Sequence, residues 1–150
     1  MVAGFNFACS SKTEQTASKI CSQARLKAVT NPVKSLQIYR NMWRNLPTAG
    51  TVTAKKCIKD VNLKIGSYRV IVRQDKNGDK NSVQACLYGI SAIEIFGGTG
   101  AVTPFKMFRA IDLVKRCKKV ISRAWTKYPN DPFYENLNAR IDTIIDSYKR

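Results

Sequence analysis

A chain of 150 residues with 44% apolar residues falls in the range of one folded domain, and carries too much hydrophobic material for wholesale disorder. Its 26 Lys and Arg against 10 Asp and Glu give a formal net charge of +16, well beyond the net charge of about 2–8 that solubility asks for. No histidine is present, so the usual general base near neutral pH and the common triads are missing; no apolar run approaches the roughly 18 residues of a membrane span.

The first 50 residues read as a basic arm, helical or partly extended. Ser11-Lys12-Thr13-Glu14 fits a capping box. Weak helical spacing follows through Ala17, Ile20, Cys21, Ala24 and Ala28. Asn31-Pro32 stops that helix and caps another, in which Val33, Leu36, Tyr39 and Trp43 recur at helical spacing. The segment is thinly apolar, which suits ordering by a partner. Its opening, MVAGFNFACSSKTEQTASK, is poor in acids and compatible with the remnant of an organelle transit peptide, whereas no secretory h-region is expected.

Residues 51–150 read as an α+β domain: an antiparallel β-hairpin or small sheet packed by two C-terminal helices. Thr51-Val52-Thr53 and Cys57-Ile58 are β-tolerant, and Ser67 to Arg73 alternates as a strand. Asp75 to Lys80 is a turn, with Asn77-Gly78 a strong hairpin signal. Ser82 to Phe96 returns as a long strand bent at Gly89, and Gly97-Gly98-Thr99-Gly100 ends it. Thr103-Pro104 then offers a cap. Met107, Ala110, Ile111, Val114, Cys117, Ile121, Ala124, Trp125 and Tyr128 form one apolar helical stripe, with Arg109, Asp112, Arg116, Lys119 and Arg123 opposite. A last helix opens at Asp131-Pro132 and buries Leu137, Ile141, Ile144, Ile145 and Tyr148.

Motifs for chemistry are sparse. Asp75-x-Asn77-x-Asp79 imitates the opening of a calcium loop, but Lys80 stands where glycine is needed and Cys86 where the closing Glu belongs. The glycine run at 97–100 lacks the Gly-Lys-Ser/Thr of a phosphate cradle. The cysteines, Cys9, Cys21, Cys57, Cys86 and Cys117, are odd in number and widely spaced, so neither a disulfide framework nor a zinc site is expected and a reducing intracellular compartment is the default. Cys57, Cys86 and Cys117 read as core filler. Cys117, between Arg116 and Lys118, has the cationic neighbours of an activated thiol but lies on the apolar stripe. No catalytic residue and no metal ligand is assigned.

The charge is distributed unevenly. From Met1 to Lys59 the one acid is Glu14, and a second basic run extends from Lys106 to Lys127. Any single run reads equally well as a solvated face; the whole set points to an acidic partner. The expected partner-facing residues are Arg40, Trp43, Arg44, Arg109, Arg116, Lys119 and Arg123. Trp43, in a polar stretch, suits an interface anchor as well as a core position.

The run YRVIVRQ, the turn DKNGDKNS, the segment SVQACLYGISAIEIF and the helix after GGTGAVTP resemble the strand–strand–helix unit of cryptophyte phycoerythrin α chains and of related red-algal phycobilisome scaffolding proteins, over about residues 68–119. That resemblance implies a basic linker or scaffold protein of a light-harvesting antenna, docking acidic phycobiliprotein subunits on the stromal face of the plastid thylakoid. In the family an aromatic-Asp-x-x-Gly-Cys pattern ends the first strand and its Cys carries a bilin. Here Arg73-Gln74-Asp75 stands there with no cysteine, so neither a covalent bilin nor any other cofactor is expected. The competing reading is an RNA-binding or ribosome-associated protein, since phosphate contacts need only Lys and Arg. Neither reading requires a small-molecule substrate.

Overall fold

The computed structural model describes residues 2–44, 49–97 and 105–149, with the backbone alone for 2–11. Seven helices are described: α1 Val2–Thr30, α2 Pro32–Arg44, α3 Val52–Cys57, α4 Lys59–Gln74, α5 Lys80–Phe96, α6 Met107–Lys127 and α7 Pro132–Ser147. Among the described residues there is no strand. The expected α+β class is therefore corrected: this is an all-helical, bundle-like fold. The chain forms two compact units, Met1–Val61 and Asn62–Arg150.

In the first unit, the 1–50 arm is helical over its described length. Asn31-Pro32 breaks the chain as expected, with the Asn31 side chain accepting a hydrogen bond from the Lys34 N–H at 3.1 Å. The expected capping box at Ser11 is absent, because α1 runs straight through it. Glu14 instead accepts hydrogen bonds from the Val52 and Thr53 N–H groups and the Thr53 hydroxyl, tying α1 to the start of α3. The Thr53 hydroxyl leads in holding its carboxyl below the usual range; slight desolvation opposes this, and the two N–H groups and Lys56 reinforce it. The core is small, built on Ala17, Ala24, Leu36, Tyr39, Met42, Ala54, Ile58 and Val61. A disulfide joins Cys21 on α1 to Cys57 on α3.

The second unit is built around α5, whose buried residues include Val83, Cys86, Tyr88, Ile90, Ile93 and Phe96. Helix α6 packs on α5, and α7 packs on both. The residues expected to form strands are helical for an identifiable reason. In Ser67 to Arg73 the alternation is accidental: Ile65, Tyr68 and Val72, at spacings of three and four, turn to the core, where Tyr68 meets the Tyr88 ring edge-on at 5.2 Å. Ser82 to Phe96 is apolar nearly throughout because a central helix is covered on several sides, a pattern that periodicity cannot separate from a buried strand. Gly89 is a close helix contact and not a strand bend, since an added Cβ would come within 2.7 Å of Leu113 Cδ2. The helices at 107–127 and 132–147 match expectation, and Asp131 caps the last, accepting from the Phe133 N–H at 3.0 Å. The cap expected at Thr103-Pro104 and the glycines 98–100 lie outside the described residues.

A second disulfide joins Cys86 on α5 to Cys117 on α6. The expectation of no disulfide framework is thus corrected, and with it the premise from which a reducing compartment was inferred. Cys57, Cys86 and Cys117 are core residues, as their setting suggested, but bridged ones; Cys117 is no free nucleophile. The Cys21 and Cys57 sulfurs and the Asp60 carboxylate lie within 4.8 Å of one another. Both sulfurs are spent on their mutual bond, and Asp60 Oδ2 accepts from Arg25 Nε at 2.6 Å and from the Tyr39 hydroxyl at 3.2 Å, so the trio does not offer the three ligands of a metal site. Burial, reinforced by Asp60, pushes the Tyr39 phenol up to about 12. No helix among the described residues is long and apolar enough to cross a membrane.

Candidate docking site: a basic cleft on the second unit

The second unit carries a cleft of about 360 Å³ between the end of α4 and the outer face of α6, lined by Val72, Arg73, Asp75, Lys115, Arg116, Lys119, Val120 and Arg123. Helical spacing places four of the cations there: Lys115, Arg116, Lys119 and Arg123 recur at intervals that share one side of α6. The apolar stripe on the other side, with Ala110, Leu113, Val114, Cys117, Val120, Ile121 and Ala124 buried, fixes which way that side turns. Arg73 arrives from the last turn of α4.

Asp75 anchors the cleft. Its side chain is fully buried and accepts from the N–H groups of Gly78 at 3.1 Å and Asp79 at 2.9 Å. Arg123 Nη1 donates both to its carboxylate at 3.0 Å and to its backbone carbonyl at 2.9 Å. Desolvation pushes this carboxyl up, but the Asp79 N–H, the Ser82 hydroxyl, Arg123 and the Gly78 N–H together hold it below the usual range. Because the folded value lies below the unfolded one, its contribution to stability is complete above about pH 4 and declines as pH falls toward the folded value. Asp75→Asn will lower stability at pH 7 by about 1–3 kcal/mol, through weakened acceptors for buried N–H groups, and by less at pH 3. Guanidinium melts at the two pH values measure this; an equal loss at both would refute the role given to the charge.

The other cations of the cleft are less engaged. Asp112 accepts from Arg116 Nε at 3.0 Å and from Arg69 Nε at 3.0 Å. Desolvation raises the Asp112 carboxyl, and the two arginines outweigh it. Arg73, Lys115 and Lys119 are exposed and make no ion pair among the described residues. Elsewhere the acids are also spent internally, Glu94 on Arg140 at 3.0 Å and Asp142 on Lys118 at 2.6 Å. The surface excess of positive charge is what remains.

Of the seven expected partner-facing residues, Arg116, Lys119 and Arg123 come together in this cleft. Arg109 lies earlier on α6, half-buried, its guanidinium 5.9 Å from the Phe108 ring centroid, and does not line it. Arg40, Trp43 and Arg44 belong to α2 of the first unit, on one side of that helix at spacings of three and four. Arg44 is exposed, and Arg40 and Trp43 are half-buried. The Trp43 indole N–H is buried without a hydrogen-bond partner among the described residues. Sequence reasoning missed Arg73 and Lys115. Arg73 had been placed on a strand, and Lys115 sits at the edge of the stripe, where only the packed orientation of α6 decides its side.

No family model, no curated protein and no solved structure matches the chain.

Proposed function

We propose that this chain is a non-catalytic docking protein, which binds an acidic protein surface through the basic side of α6. The observation that carries the reading is the convergence of Arg73, Lys115, Arg116, Lys119 and Arg123 on one cleft, while the acids of the chain are largely committed to internal pairs. Charge complementarity of this kind sets orientation and association rate. The antenna-linker form of the reading rested on a strand–strand–helix unit; the segments that carried it are helices, so the proposal is made for an acidic protein partner in general.

The test uses a poly-glutamate peptide and a single-stranded RNA of equal charge at 0.15 M salt. Lys115→Glu/Lys119→Glu, which removes no described ion pair, will weaken peptide binding at least tenfold and leave the far-UV circular dichroism unchanged. Peptide binding that survives the double reversal, or RNA bound far more tightly than the peptide, would contradict the proposal.

A further inference from the structure

Beyond docking, and independent of any protein partner, we propose that the α4–α6 cleft is a binding site for a small molecule bearing clustered phosphoryl groups. A flat basic face suffices to meet an acidic protein. This is a concavity, and its volume of about 360 Å³ lies within the roughly 300–1,000 Å³ of small-ligand pockets. Five cations line it against one carboxylate, and that carboxylate, Asp75, is withdrawn from solvent and engaged by Arg123 and two N–H groups. Asp112 offsets part of Arg116 from outside the lining.

The remaining charge decides the ligand class. Arg116 and Arg123 are already paired, so a single carboxylate would answer one of Arg73, Lys115 and Lys119 and leave the other two unneutralised. Several negative charges within one small molecule answer all of them. Arginine forks suit the paired oxygens of a phosphoryl group, and lysines serve as mobile point charges beside them. The site is also partly pre-organised: Arg123 is held from behind by Asp75, and Arg116 is held by Asp112. Val72 and Val120 complete the lining with apolar surface.

The neighbouring clefts lack this combination. One of about 470 Å³ borders the same helix and shares Lys119 and Arg123, but its further cation, Lys118, is bound to Asp142. One of about 390 Å³ near Tyr134 is lined by Asp79 and Asp131 as well as by lysines.

Titration calorimetry of the full chain at 0.15 M NaCl, with inorganic tripolyphosphate, inositol hexakisphosphate and citrate, tests the assignment. The expected result is saturable one-to-one binding of at least one polyphosphate, with citrate at least tenfold weaker. A linear site will prefer tripolyphosphate and a ring-shaped one inositol hexakisphosphate. Arg73→Gln/Lys119→Gln will weaken binding at least tenfold, whereas Lys55→Gln/Lys56→Gln on α3, which removes the same charge elsewhere, will change it less than twofold. Both variant pairs involve exposed side chains, and unchanged circular dichroism will confirm their folding. No saturable binding, equal losses in the two variants, or citrate binding as tightly as phosphate would each overturn the proposal.

Discussion

Gly78→Ala will destabilise the second unit by about 2–5 kcal/mol, while Gly66→Ala on α4 will leave it unchanged or slightly more stable. Gly78 lies in the α4–α5 turn at φ +67°, a left-handed conformation that costs an L-residue about 1–2 kcal/mol. The turn is also pressed onto α6. An added Cβ would stand 2.4 Å from Ala124 N and 2.9 Å from its Cα. These are backbone atoms of a helix and cannot swing aside, so either the turn or α6 must move, at the about 1–3 kcal/mol typical of overpacking. Around Gly66 an added Cβ meets nothing within 4 Å, and alanine brings its better helix propensity, worth about 1 kcal/mol. Chemical denaturation of the two variants checks the contrast. Because Asp75 binds the Gly78 N–H, displacement of the turn will also loosen Arg123 and impair whatever the cleft binds. If Gly78→Ala proves neutral, the turn does not sit against α6 as described.

Cys21→Ala/Cys57→Ala will remove about 2–4 kcal/mol from the first unit and largely unfold it at 37 °C. The bridge spans 36 residues, enough for closure of the loop to restrict the unfolded chain substantially. The unit that it staples has little else. Its largest fully buried side chains are Leu36, Met42 and Val61, and much of the α1 contribution is alanine. A segment of this size sits near the lower limit at which a hydrophobic core stabilises itself, and staples are the usual remedy. Removal of Cys86–Cys117, with a separation of 31, will cost a similar amount. There the protein will stay folded, because α5 contributes a buried core of Ile90, Ile93, Tyr88 and Phe96. Native-state hydrogen exchange reads the two cases apart. Protection lost across 12–44 in the first variant, with protection across α5 to α7 retained in the second, is the expected result. Undiminished protection in α1 and α2 would show that the first unit does not depend on its staple.

These two sites also show what could be read without the fold. Helices α6 and α7 were visible because each has one apolar stripe and polar residues elsewhere. The break between α1 and α2 was visible because proline and asparagine act locally. Helix α5 was not, since burial on several sides erases the difference between periods of two and 3.6, and the β-branched run Val70-Ile71-Val72 gave α4 a strand's composition. Asn77-Gly78 was rightly read as a turn, but a left-handed glycine serves a helix connection as well as a hairpin. The disulfides could not be found from spacing, because the cysteines are brought together only by helix packing. For the same reason the lining of the cleft was legible where a single helix defines it, at Arg116, Lys119 and Arg123, while Arg73, contributed by a second helix, was not.

The central claim is that basic residues from α4 and α6 form one recognition surface. Its most direct measurement is a heteronuclear NMR titration of the full chain with a poly-glutamate peptide at 0.15 M salt. The account predicts that the shifted and broadened amides will cluster at Arg73, Asp75, Lys115, Lys119 and Arg123 and saturate together. Shifts scattered evenly over the lysines and arginines of both units would contradict it, and would reduce the charge of this protein to a property of its surface at large.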